Sequence, residues 1–162
     1  MVDFSLKDKI ILVNGGSRGI GEAMAREFAR LGATVIVSSR RQDGVDAVAG
    51  AIRDAGGKAL AVACHTGDVA QVDALFDRIR NEFGRLDVLV NNAATNPYFG
   101  PMLHASEQAF DKTFEVNVKG YFMMAQRAAA IMVDQGGGSI INIASIEGLS
   151  PSPMMGIYSM TL

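Results

Sequence analysis

The stretch NGGSRGIG, residues 14–21, directly follows the short apolar run KIILV at residues 9–13. Such a run predicts a buried strand, and segment 19–32, which begins inside the glycine motif, has the periodicity of an amphipathic helix. The glycines that set the spacing GxxxGxG are Gly15, Gly19 and Gly21. Glycine allows the positive φ angles and close backbone approach of a tight strand-to-helix turn. The stretch therefore predicts the first unit of an α/β fold.

The rest of the chain repeats this alternation of short apolar segments with longer helical ones. Further strands are predicted at 34–39, 59–64, 86–92 and 139–145, and helices at 43–57, 68–84 and from about 106 to 135. Apolar strands alternating with helices indicate a parallel sheet covered on both faces, a Rossmann-like, doubly wound α/β fold. We expect one domain over residues 1–162, with its site outside the carboxyl ends of the strands.

The glycine turn has the features of a dinucleotide site. Phosphate groups bind well at a helix N-terminus, where free N–H groups and the helix dipole favour negative charge. The second strand ends in SSRR at residues 38–41, without the carboxylate that usually holds the NAD ribose. Arg40 and Arg18 could pair with a 2′-phosphate, although two arginines at a surface can also be simply solvated. We predict NADP(H) as the cofactor, with NAD as the alternative.

Several motifs together resemble those of a known family. NGGSRGIG is followed by NNAA at 91–94, Asn117 in NVKG, Ser145 in INIAS, and Tyr158. Their order and spacing are similar to those of the short-chain dehydrogenases/reductases, over essentially the whole chain. The segments VIVSSRRQ, VACHTGD, NAATNPYFGP and LSPSP resemble the NADP-dependent carbonyl (retinal) reductase branch. Similar chains are also labelled 3-oxoacyl-carrier-protein reductases.

The resemblance implies hydride transfer between NADP(H) and a ketone or aldehyde, or a secondary alcohol. Tyr158 would donate or accept the proton, Ser145 would hydrogen-bond the substrate carbonyl, and Asn117 would hold a kinked helix and a water of the proton relay. His65 stands where the family commonly has an Asp that touches the adenine. The residues expected to contact the cofactor are Gly15, Ser17, Arg18, Gly19, Ile20, Gly21, Ser39, Arg40, His65, Asn91 and Ala93.

Leu162 departs from the resemblance, because the family pattern Tyr-x-x-x-Lys would place a lysine there. Loss of acid–base assistance of this kind costs about 10²–10⁴ in rate. Family members continue past this lysine, so we expect a chain that lacks the C-terminal strands. On that expectation the helix at Tyr158 has no room to form, and the fourth and fifth strands each lose a neighbour. The alternatives to an active reductase are an impaired dinucleotide-binding domain and an interaction scaffold.

Composition and charge limit the classes of partner that we expect this chain to bind. The net charge of −2 gives no reason to expect nucleic acid or an anionic membrane, and no apolar run is long enough to span a bilayer. One cysteine excludes an internal disulfide and favours a cytoplasmic location. We expect no metal, because adjacent Cys64 and His65 point to opposite faces of a strand. The stripe of Phe110, Phe114, Val118 and Phe122 predicts core packing, and the resemblance implies a homo-oligomer, a dimer or tetramer, that pairs through its outer face.

Overall fold

The computed structural model describes residues 4–162. Its strands are β1 (Ile10–Asn14), β2 (Thr34–Ser39), β3 (Lys58–Ala63), β4 (Val88–Asn91) and β5 (Ser139–Asn142). Its α-helices are α1 (Gly19–Arg30), α2 (Gln42–Asp54), α3 (Val69–Phe83), α4 (Glu107–Phe114), α5 (Tyr121–Asp134) and α6 (Gly156–Ser159). The alternation predicted from the sequence is therefore confirmed.

The five strands form one parallel sheet in the order β3-β2-β1-β4-β5. This order confirms the Rossmann-like, doubly wound arrangement, since the chain moves outward in both directions from β1. The expectation that β4 would lose a neighbour is wrong, because β4 pairs with β1 on one side and β5 on the other. Within residues 4–162, β5 is an edge strand, and its Ile140 and Ile141 are 38% and 44% exposed.

Two apolar cores cover the two faces of the sheet. Ile11 and Val13 of β1 point to the side of α1 and α2, where Val45 and Ile52 are buried. Leu12 points to the other side, where residues of α3 and α5 complete the second core. Alternation along β1 therefore feeds both cores, which explains why the strand is apolar at every position from 10 to 13.

A row of polar side chains ends the apolar part of the sheet. Ser38, Asn14, Asn91 and Asn142 are register partners on four neighbouring strands. The first three are fully buried, and Asn91 Nδ2 donates to Asn142 Oδ1 at 2.9 Å. Within residues 4–162, the Asn14 amide and the Ser38 hydroxyl have no protein hydrogen-bond partner. The row marks where the core stops and the carboxyl-terminal edge of the sheet begins.

The helix predicted from about 106 to 135 forms, but it is not a uniform α-helix. Residues 115–120 adopt a π conformation between α4 and α5, and Asn117 lies in that segment. Ser106 caps the start of α4 by accepting from Ala109 N at 3.2 Å. A π segment widens one turn and so re-aims the side chains in it. Apolar spacing alone does not signal this, because the stripe of Phe110, Phe114, Val118 and Phe122 continues through the widened turn. The prediction that this stripe packs in the core is wrong for Phe110, Val118 and Phe122, which are exposed.

The expectation that no helix could form at Tyr158 is also wrong. Gly156–Ser159 makes one helical turn, with Ser159 N donating to Met155 O at 2.9 Å. An isolated turn would be marginal in water. This one is not isolated, because Ile157 is 5% exposed and Thr161 hydrogen-bonds to Asn117. Tertiary contacts therefore supply the stability that the length of the helix does not.

Candidate functional site

A cavity opens at the carboxyl ends of β1, β2, β3 and β4, where the sequence predicted a site. Seven of the residues expected to contact a cofactor line it together: Gly15, Ser17, Arg18, Ser39, Arg40, His65 and Ala93. They come from four separate strand ends, so the parallel topology is what brings them into one cleft.

The glycine turn forms one wall of the cavity and is closely packed against the end of β4. Gly15 has a φ of +78°, and a Cβ atom there would lie 2.6 Å from the backbone nitrogen of Ala93. A Cβ on Gly21 would overlap the carbonyl oxygen of Gly15. Gly19 has a φ of +58°, and within residues 4–162 its Cβ would meet nothing within 4 Å beyond its chain neighbours and the backbone of its own helix. The backbone thus requires glycine at 15 and 21 for packing, while Gly19 borders open space.

The other four predicted cofactor residues are not among those that line the cavity: Gly19, Ile20, Gly21 and Asn91. Asn91 is fully buried in the sheet, with its amide directed to Asn142, and its neighbour Asn92 reaches the turn instead. Asn92 Nδ2 donates to the carbonyl oxygen of Gly15 at 3.0 Å. Ile20, in the first turn of α1, is 65% exposed. Asn92 of the NNAA motif therefore hydrogen-bonds to the glycine turn from the neighbouring strand end.

The charge of the cavity is positive. Arg18 and Arg40 line it, and its lining contains no carboxylate among residues 4–162. Arg41 forms an ion pair with Asp43 outside the cavity, whereas Arg18 and Arg40 form no ion pair with any part of the chain that the structure describes. Two cations without local counter-charges suit a ligand that carries phosphate.

His65 lies at the β3 end of the cavity in a small polar network. Its Nδ1 accepts from Gly67 N at 2.9 Å, and its Nε2 lies 3.1 Å from the Lys112 ammonium. Lys112 in turn donates to Glu115 at 3.1 Å. The neighbouring Cys64 is almost fully buried, and burial, with a smaller effect of Asp68, raises the pKa of its thiol to about 11. The thiol therefore stays protonated at neutral pH and is a poor nucleophile.

Asn117 links the cavity to the turn that carries Tyr158. Its Oδ1 accepts from Thr95 N at 2.8 Å, and its Nδ2 donates to Thr95 O at 3.0 Å and to the Thr161 hydroxyl at 2.9 Å. Thr161 Oγ1 donates to the carbonyl oxygen of Tyr158 at 2.8 Å. Thr95 lines the cavity. One buried amide thus connects the cavity wall, the π segment and α6.

Ser145 and Tyr158 are held on adjoining segments beside this amide. The Ser145 Oγ accepts from Glu147 N at 3.2 Å, which leaves its own O–H free to donate. Ser145 N donates to the carbonyl oxygen of Leu162 at 3.4 Å, so the strand end and the chain past Tyr158 are in contact. Burial, and to a lesser degree the nearby Tyr158, raise the pKa of Tyr121 to about 12. Tyr121 is therefore a neutral neighbour of Tyr158, and its hydroxyl donates to Ile143 O at 3.3 Å.

Comparison with known proteins identifies the family of a chain with this geometry. The model of the short chain dehydrogenase family matches residues 9–161. The chain belongs to the short-chain dehydrogenase family. Among curated relatives, the dehydrogenase/reductase SDR family member 4 of Pongo abelii is 36% identical over 156 residues, and tropinone reductase-like 3 of Erythroxylum coca is 35% identical over 161.

A solved member of the family confirms the fold. The structure of a short-chain type dehydrogenase/reductase from Mycobacterium ulcerans matches with a TM-score of 0.93 at 27% identity, over 98% of this chain and 58% of that one. The chain covers 56% of the Pongo abelii relative and 62% of the Erythroxylum coca relative, from 96% and 99% of its own length. It therefore spans little more than half of these short-chain dehydrogenases.

Some residues around this short-chain dehydrogenase site were not predicted from the sequence. Thr66, Thr95 and Val116 line the cavity, and Thr161 and Glu147 hold the segments of Tyr158 and Ser145. Thr66 could have been predicted from its position shortly after β3, because the carboxyl ends of parallel strands meet at one edge of the sheet. Thr95, Thr161 and Glu147 gave no such signal, because their partners are far away in sequence.

Two further features concern residues 4–162. Their helices include none with the length and apolar character needed to cross a bilayer. The same residues bring no three His, Cys, Asp or Glu side chains together in an arrangement that could hold a metal ion.

Proposed function

We propose that this short-chain dehydrogenase binds NADP(H) and works in the transfer of hydride between that cofactor and a ketone or aldehyde, or a secondary alcohol. The observation that carries the proposal is the cavity in which the glycine turn, Arg18 and Arg40 come together without a carboxylate. Through Thr95 and Asn117 that cavity adjoins the segment of Tyr158.

The residues of the cavity fit a dinucleotide. Close packing at Gly15 and Gly21 brings backbone N–H groups to the start of α1, which suits a pyrophosphate, and Gly19 leaves open space there. Arg40, with Arg18 nearby, would hold a 2′-phosphate and so favours NADP(H) over NAD(H). Ser39 ends β2 and Arg40 follows it, and His65 and Ala93 follow β3 and β4, so these residues would flank the adenosine half. When bound, the nicotinamide supplies or accepts the hydride.

The chain's own residues would hold the carbonyl and move the proton. Ser145 has a hydroxyl proton free to donate to a carbonyl oxygen, and Tyr158 carries a phenol that can give or take a proton there. Asn117 would fix the position of the Tyr158 turn through Thr161. Leu162 supplies no ammonium beside the phenol, and this favours slow turnover by the chain as it stands.

The second candidate function is a dinucleotide-binding domain with little catalysis. The uncharged side chain of Leu162 favours this candidate. Reduction of a 3-oxoacyl group is an alternative substrate class for the same residues. A homo-oligomer, a dimer or tetramer, is supported by the exposed fractions of Phe122 and Val118, 62% and 41%. An interaction scaffold would rest on that same face. A cytoplasmic location is supported by the single, buried Cys64.

A fluorescence titration with NADPH tests the proposal directly. We expect saturable binding by the 162-residue chain, and loss of binding in Gly21→Ala, because the new methyl group would overlap the Gly15 carbonyl. Gly50→Ala is the matched control, since a Cβ there meets only an Arg53 side-chain nitrogen at 4.0 Å in the interior of α2.

The outcomes separate the candidates. NADPH consumption with a panel of small ketones would support the reductase. Binding without measurable consumption would support the impaired binding domain. Absence of binding to NADPH and NADH would overturn both.

A further inference from the structure

Glu147 sits between the two groups assigned to the carbonyl chemistry. Its carboxylate accepts from Ser152 N at 2.8 Å, from Ser152 Oγ at 2.7 Å and from Ser159 Oγ at 3.4 Å. Ser159 is the residue after Tyr158. The carboxylate therefore joins the loop that follows Ser145 to the helical turn of Tyr158.

The backbone of Glu147 acts on Ser145. Its N–H donates to the Ser145 Oγ at 3.2 Å, and the carbonyl of Ser145 accepts from Gly148 N at 3.1 Å. With one lone pair of the Ser145 oxygen taken by this N–H, the hydroxyl proton is left to point outward. A hydroxyl that must donate to a carbonyl oxygen needs this orientation.

The segment between these two attachments has several exposed apolar side chains, and Met154 O accepts from Gly100 N at 3.0 Å. Ile146 and Leu149 are 74% and 89% exposed, and Met154 adopts a positive φ of +70°, which is unusual for a residue with a side chain. A loop with few buried apolar groups opens easily. The Glu147 carboxylate is thus a side-chain link, beside the bond from Ser145 N to Leu162 O, across a loop that carries Ser145 at one end and Tyr158 at the other.

We propose that Glu147 is a positioning residue of the carbonyl reaction, which keeps the Ser145 hydroxyl and the Tyr158 phenol directed to the same substrate oxygen. This inference rests on the proposed function. The hydrogen bond from Ser152 N, followed by that from the Ser152 hydroxyl, lowers the pKa of Glu147 below its ordinary value, so the carboxylate is charged at neutral pH. Charged acceptors make stronger hydrogen bonds than neutral ones.

Hydrogen exchange tests the link without requiring turnover. We expect Glu147→Ala to raise the exchange rate of the amides of Glu147, Gly148 and Ser159 about tenfold, because local opening becomes easier. Amides of β1 and β4 should be unchanged. Glu147→Gln should restore part of the protection, since its side-chain oxygen can still accept from Ser152 N. Glu82→Ala, which removes an exposed partner of Arg78 on α3, is the control.

Kinetics test the role in the reaction, using the 162-residue chain and, for higher turnover, the chain with Leu162→Lys. We expect Glu147→Ala to lower kcat by about tenfold to a hundredfold, the scale of a misplaced catalytic group, and to leave the KM for NADPH unchanged. In a Ser145→Ala background the same change should lower kcat by a clearly smaller factor, because one of the two groups that Glu147 positions is gone.

Two results would overturn the inference. One is unchanged exchange in residues 145–159 of Glu147→Ala, and the other is an equal loss of kcat with and without Ser145. If the parent chain binds no NADPH, the proposed function fails, and the exchange experiment alone then decides whether Glu147 links the two segments.

Discussion

The side-chain amide of Asn117 lies 2.9 Å from the hydroxyl of Thr161, to which it donates. Asn117 is in the π segment after α4, and Thr161 follows the turn of Tyr158, 44 residues later. The same hydroxyl donates to the Tyr158 carbonyl. The position of the Tyr158 turn therefore depends on a hydrogen bond from the distant π segment.

We expect Thr161→Val to destabilise the fold by about 1–3 kcal/mol, because it leaves a donor of the buried Asn117 amide without a partner. Thr161→Ser keeps the hydroxyl and should cost much less. The free energy of unfolding from urea titration measures both. A loss for serine with almost none for valine would show that the methyl group, and not the hydrogen bond, is what matters.

Arg40→Ala should weaken NADPH binding by about tenfold to a hundredfold, the equivalent of one charge-assisted contact, and leave NADH binding nearly unchanged. Arg41→Ala is the matched control, since Arg41 pairs with Asp43 outside the cavity. Fluorescence titration with both nucleotides gives the four dissociation constants. A parallel loss for NADPH and NADH would argue against recognition of a 2′-phosphate by Arg40.

Leu162→Lys should raise kcat by about 10²–10⁴, because an ammonium placed one helical turn from Tyr158 would assist proton transfer by the phenol. Leu162→Met has similar length without charge and should leave kcat as it is. Steady-state consumption of NADPH with one ketone compares the three chains. If the methionine variant gains as much as the lysine variant, the effect comes from the shape of the side chain and not from charge.

Asp87 should make the fold sensitive to acid. Burial raises the pKa of its carboxyl, but hydrogen bonds from Arg85 and from Ile10 N, with the charges of Arg85 and Lys9, outweigh that effect and hold the pKa below its ordinary value. A lowered folded-state pKa stabilises the fold above the unfolded value of 3.8, and this stability is lost as the pH falls through the folded value.

Asp87→Asn should therefore lower the free energy of unfolding at pH 7 by about 1.5–3 kcal/mol and flatten its decline below pH 4. Glu22→Gln, which affects an exposed pair with Arg26, should change it by less than about 1 kcal/mol. Urea titrations between pH 3 and pH 7 make the comparison. An acid decline as steep in Asp87→Asn as in the parent would assign the sensitivity to other carboxylates.

The spacing of apolar residues predicted the sheet and most helices, because burial in the core determines that spacing in strands and in helices. β1 is apolar at positions 10–13 because its side chains enter two cores. The helix predicted from residue 68 begins where Asp68 caps α3, accepting from Gln71 N at 3.2 Å. The start of β4 was predicted two residues early, because the Gln135 side chain takes both the N–H and the carbonyl of Leu86. A local pattern cannot show that a side chain 49 residues away replaces a strand partner.

The site was predictable where it depends on backbone shape and not where it depends on distant pairs. The glycine spacing indicated the turn that Gly15 and Gly21 form, and the basic end of β2 indicated the charge of the cavity. The Asn117 side chain in the π segment bonds to Thr95 and Thr161, which are distant in sequence, so a local pattern does not indicate these contacts. The turn at Tyr158 likewise has a distant partner, because Thr161 bonds to Asn117.

The polar row across the sheet has a consequence for folding. A β5 strand that slipped by one residue would set Ile141 opposite Asn91 and remove the 2.9 Å hydrogen bond to Asn142. The buried Asn91 amide would keep only its longer bond of 3.4 Å to the carbonyl oxygen of Tyr121, at a cost of about 1–3 kcal/mol. The match of Asn91 with Asn142 thus penalises wrong alignments more than it strengthens the right one. During folding, this pair therefore favours the native register of β4 and β5 over a register shifted by one residue.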